Sequence, residues 1–63
     1  MTEKDDQAQC SAAHLIEHTH CTTLEEWEKL RVDVTEIVEY ADHPERVALL
    51  VAQALQWAKP VAA

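Results

Sequence analysis

Leu24, Trp27, Leu30, Val34, Ile37, Val38 and Ala41 recur at intervals of three and four. In a helix turning 100° per residue this spacing puts all seven on one stripe, which restricts the fold more than any other feature of the chain. A helix with such a stripe gains most of its stability by burying it against another element. Thr22 and Thr23 precede the stripe, each followed three residues later by an acid, Glu25 or Glu26. In that arrangement a hydroxyl caps an open amide while the acid reaches back. A strand over 30–38 competes with the helix, because Val32, Asp33, Val34 and Thr35 alternate and are rich in branched side chains. The helical register runs unbroken through the whole segment and favours helix.

Asp42, His43, Pro44 and Glu45 read as a break and a restart. Asp42 suits a cap, Pro44 suits a first helical turn, and Glu45 stands three residues after the cap. The segment that follows carries Val47, Leu50, Val51, Ala54, Leu55, Trp57 and Ala58, about half of a helix circumference and a wider stripe than one neighbouring helix needs. The excess points to a second chain, with Val47, Leu50, Val51 and Leu55 as the dimer interface. A weaker helical pattern from about Gln7 to Thr19 directs Ala8, Ala12, Leu15 and Ile16 to a core, either docked on the other two helices or extended across a partner.

The expected fold class is therefore all-α. A helical hairpin of about 22–41 and 44–59, with an additional N-terminal helix, forms a dimeric helical bundle. Residues 1–6 are expected as a flexible N-terminus, 7–59 as a single helical domain and 60–63 as a short tail after Pro60. Glycine is absent from the 63 residues, which disfavours tight hairpin turns and phosphate-cradling loops. A chain of this length buries only about 60% of the surface its unfolded form exposes, so help from self-association, a metal or a disulfide is expected.

Twelve acidic residues against five basic ones give a formal net charge of -7. Such a field repels nucleic acid and anionic membranes, so direct nucleic-acid binding is not expected. No apolar run approaches a membrane span, and the charged start MTEKDDQAQ is unlike a targeting peptide, so the expected location is cytoplasmic.

Glu25, Glu28, Asp33, Glu36 and Glu39 project opposite the apolar stripe of the central helix, with Lys29 the one basic residue in that face and Glu26 at its edge. Together with Tyr40 and Trp57 they form the candidate partner-binding set for a basic protein surface. The same pattern also suits a solvated outer face. Trp27 is expected in the core, and Trp57 fits either core or interface. Arg31 borders the stripe and is placed to lay its stem over the seam.

Cys10, His14, His18 and Cys21 are the candidate metal ligands, with zinc the ion they would suit, and His20 lies beside them. Three ligands rising along one helix span about 12 Å, so His14 and His18 would need further ligands from the turn or a second chain. A Cys10 to Cys21 bridge conflicts with a continuous helix, which would hold the α-carbons about 16 Å apart. No nucleophile or phosphate motif supports catalysis. The functional expectation is a small acidic regulator or inhibitor acting by protein-protein interaction as a homodimer. Its alternatives are an acidic nucleic-acid mimic that blocks a DNA- or RNA-binding protein, and a metal-binding module.

Overall fold

A computed structural model describes residues 1–60, and the part of the expected tail at 61–63 lies outside the described residues. Among the described residues there are three helices, α1 (Glu3–His18), α2 (Leu24–Glu39) and α3 (Pro44–Ala58), and no strand. The segment 30–38 is thus helix. Thr35, one of its branched residues, places its hydroxyl on the Arg31 carbonyl one turn back at 2.8 Å. Leu30, Val34 and Val38, four residues apart, are all buried.

Connections of four or five residues turn α2 antiparallel to both neighbours, which leaves α1 and α3 parallel. Each pair of helices packs together. The core holds Ala8, Ala12 and Ile16 from α1, Leu30, Val34 and Val38 from α2, Ala41 from the turn, and Val47 and Val51 from α3. Small side chains on α1 let its backbone come close to the other two helices. Leu15, Ile37, Ala54, Leu55 and Ala58 pack around this core half-buried. Leu24, counted in the stripe of α2, is 52% exposed because it opens the helix at the bundle's end.

Local chemistry explains the helix ends and moves two expected boundaries. Residues 3–6, expected as part of a flexible lead-in, form the first turn of α1. Thr2 caps that turn: its Oγ1 accepts the Asp5 amide at 3.3 Å, and its own amide donates to Asp5 Oδ2 at 3.1 Å. At α2 the cap is Thr23, whose Oγ1 accepts the Glu26 amide at 3.2 Å. The Thr22 and Thr23 hydroxyls both donate to Glu26 Oε1, and these bonds hold the Glu26 carboxyl below its usual pKa. At α3 the capping residue is His43, one later than Asp42, because Pro44 occupies the first helical position and fixes the register.

Both ends of α3 are closed by side chains from the other helices. At its start Asp5 of α1 accepts the His43 amide at 2.8 Å. At its end the Trp27 indole of α2 donates to the Leu55 carbonyl at 2.9 Å, an acceptor left open because the Lys59 amide bonds to Gln56 instead. Trp27 is half-buried, with Lys59 Nζ 5.3 Å and the Arg31 guanidinium 6.0 Å from its ring centre. Trp27→Phe keeps an aromatic ring and deletes the donor, so it is expected to cost about 1 kcal/mol, or about 4–8 °C in melting temperature. Thermal melts followed by circular dichroism would check this; an unchanged Tm would show that the bond contributes nothing to stability.

Candidate functional site

The outward face of α2 carries Glu25, Glu28, Asp33, Glu36 and Glu39, and all five side chains are exposed. They lie there because the inward face is filled by Leu30, Val34 and Val38, which leaves the acids on the remaining arc. Among the described residues the one contact within 4.0 Å between a basic side chain and a carboxylate is that of His43 with Asp5, so none of these five carboxylates is paired with a neighbour. The acids frame apolar surface. Val32 is 52% exposed between Glu25, Glu28, Lys29 and Asp33, and Tyr40 is 83% exposed beside Glu36 and Glu39. A shallow groove runs from Tyr40 and Ile37 across to Lys4 and Ser11 of α1, with Asp33 and Glu36 on its rim. A basic side chain with an apolar stem would meet carboxylates and carbon at once on this face.

Trp57 lies on a different face, 82% exposed on α3, and does not join the acidic strip. It lines a second groove with Ile16 and Glu17 of α1 and with Leu50, Gln53 and Ala58 of α3. The expected dimer set divides accordingly. Val47 and Val51 belong to the core of the single chain, at 0% and 4% exposure, and cannot meet a second one. This corrects the expectation at those two positions: α1, by packing on α3, takes up the part of the wide stripe they occupy. Leu55 is half-buried, and Leu50 is 50% exposed.

The metal candidates are only partly brought together. His14 and His18 approach to 4.2 Å between ring centres, as expected for residues one turn apart on α1. Cys10 is an exposed free thiol further back on the helix, and Cys21, in the connection to α2, is a half-buried free thiol packed against the core. Among the described residues no three His, Cys, Asp or Glu side chains converge as a set able to hold a metal ion.

Asp5 carries the most connected side-chain polar group among the described residues, and it is not among the candidate residues the sequence singles out. Asp5 is fully buried, and its Oδ2 accepts from His43 Nδ1 at 2.8 Å as well as from the Thr2 amide, while Oδ1 takes the His43 amide. Burial by itself would raise the Asp5 pKa. The bonds from the His43 ring, the His43 amide and Thr2 outweigh it and hold the carboxyl well below the usual range. Thr2 Oγ1 in turn donates to Asp42 Oδ2 at 2.6 Å, so Asp42, expected as a cap, binds the start of α1 instead. A buried carboxylate on an imidazole can orient a catalytic base, but here its acceptor sites are occupied by helix-end amides and the ring that packs them. Ser11 stands about 9 Å further along α1 than Asp5. The group is a clasp between the starts of α1 and α3.

No helix among the described residues is long and apolar enough to cross a membrane. The chain matches no protein-family model, no curated protein and no solved structure.

Proposed function

We propose that this three-helix protein is a regulator or inhibitor that binds another protein through the acidic outer face of α2. The observation carrying the reading is that five exposed, unpaired carboxylates surround the exposed Val32 and Tyr40 side chains. Charge of one sign steers an oppositely charged partner and speeds encounter, and the apolar centre supplies contact that salt does not screen. A lysine- or arginine-rich protein surface fits both parts. Self-association through α3 leaves the α2 faces free, so the working unit is a homodimer with two acidic faces. The reading is of a binding protein and not an enzyme.

A second reading, mimicry of nucleic acid, is favoured by the spacing of the charges. From Glu25 to Glu39 α2 rises about 21 Å, so its five acids fall about one per 5 Å of helix axis, against one phosphate per about 3.4 Å of axis on one DNA strand. The charge density along the axis is about two-thirds of one strand's and about a third of a duplex's. Competition by a short single-stranded oligonucleotide for the same partner separates mimicry from general acidic docking. A metal-binding module built on Cys10, His14, His18 and Cys21 would need ligands from a second chain, because among the described residues these four do not converge on one site.

Glu28→Lys with Glu36→Lys changes four units of charge on this face without touching the core. The double variant is expected to keep its helical signal and Tm within a few degrees while weakening partner binding at least tenfold. Calorimetric titration with the isolated partner would measure this, and unaltered affinity would remove the α2 face from the account.

A further inference from the structure

Resting on the reading of α3 as the self-association face, we propose that a second copy of this chain seats its α3 antiparallel in the groove between α1 and α3, with Arg46 of each copy meeting Glu17 of the other. The sequence of α3 carries two stripes with the same spacing. Val47, Val51, Ala54 and Ala58 form the inner one and fill the core side. Arg46, Leu50, Gln53 and Trp57 sit one residue earlier in the same four-three-four pattern and face outward. One stripe serves the bundle, and the other repeats its geometry with nothing covering it.

Two observations identify the occupant. The first is charge. From Val47 to Ala58 no residue is charged, in a molecule whose formal net charge is -7. A copy docking there brings a largely uncharged helix face to its own counterpart and keeps the acids of α2 apart.

The second is complementarity at the ends. Glu17 is the one charged side chain lining the groove, and Arg46 is the one charge on the outer stripe, exposed and in no ion pair among the described residues. In a two-fold antiparallel pairing centred between Val51 and Ala52, Arg46 of one copy lies opposite Trp57 of the other, and Leu50 opposite Gln53. The same register carries Arg46 of the second copy to the end of the groove where Glu17 and Trp57 stand, and symmetry makes that contact twice.

Sedimentation equilibrium from low to several hundred micromolar tests the proposal on the wild type, Glu17→Arg, Arg46→Glu and the double exchange, with circular dichroism to confirm folding. Wild type is expected at twice 7.1 kDa. Each single reversal weakens the dimer about tenfold, and the double exchange restores it to within a few-fold. The Glu17→Arg variant is the sharpest arm. It lowers the net charge from -7 to -5, so general repulsion predicts a tighter dimer and the pairing predicts a weaker one. A monomeric wild type throughout would end both the self-association reading and the proposal. A dimer indifferent to the single reversals, or one tightened by Glu17→Arg, would overturn the pairing while leaving self-association standing.

Discussion

Asp5→Ala is expected to lower the melting temperature by more than roughly 10 °C, and in so small a domain the chain can be left largely unfolded at room temperature. Removing the carboxylate opens the Thr2 amide, the His43 amide and the His43 ring together, all at the junction of two helix starts. Asp5→Asn keeps the shape but offers one carbonyl oxygen to three donors, and its amino group faces at least one of them. It is expected to be less damaging than alanine but clearly destabilising. Thermal melts of both variants check the order.

Acid gives the same test without mutation. Because Asp5 has a lower pKa folded than unfolded, the folded state prefers the ionised form. The stabilisation is complete above the unfolded value of about 3.9 and is lost as pH falls below it toward the folded value. Wild type should therefore shed this contribution below about pH 4, and the gap in Tm between wild type and Asp5→Asn should narrow over that range. A gap that stays constant from pH 7 to pH 2 would show that Asp5 is not held ionised in the fold.

Leu30→Ala carries the second large expectation. Leu30 is 2% exposed and is the one leucine fully inside a core otherwise built from alanine, valine and a single isoleucine. Truncations of this kind cost about 2–5 kcal/mol, while a domain of 63 residues holds on the order of 3–9 kcal/mol in total. The variant should lose most of its cooperative melt. Leu49→Ala, at a residue 77% exposed, should shift Tm by no more than a few degrees under the same conditions. Equal losses at the two sites would contradict the placement of the core.

The periodicity of α2 is legible in the sequence because one stripe fills one interface, and Leu30, Val34 and Val38 are buried as their spacing requires. The wide stripe of α3 misleads for a physical reason. It combines two faces, and only packing against α1 tells Val47 and Val51, which go inside, from Leu50 and Trp57, which stay outside. The start of α1 was within reach of local rules, since Thr2 and Asp5 have the same spacing as Thr23 and Glu26. The second role of Asp5 was not. A contact to a residue 38 positions away depends on how α1 and α3 lie side by side, which no local pattern encodes. The acidic face needed only the arc left over by the apolar stripe, whereas its apolar centre at Val32 and Tyr40 emerged once exposure was known.

Partner capture from extract of the source cells, with bound proteins eluted in steps of rising salt, tests the central claim most directly when wild type is compared with the Glu28→Lys, Glu36→Lys variant. The account predicts a discrete protein retained by wild type, released by moderate salt, and absent from the folded variant. A partner that both forms retain equally, at every salt concentration, would contradict recognition through the acidic face of α2.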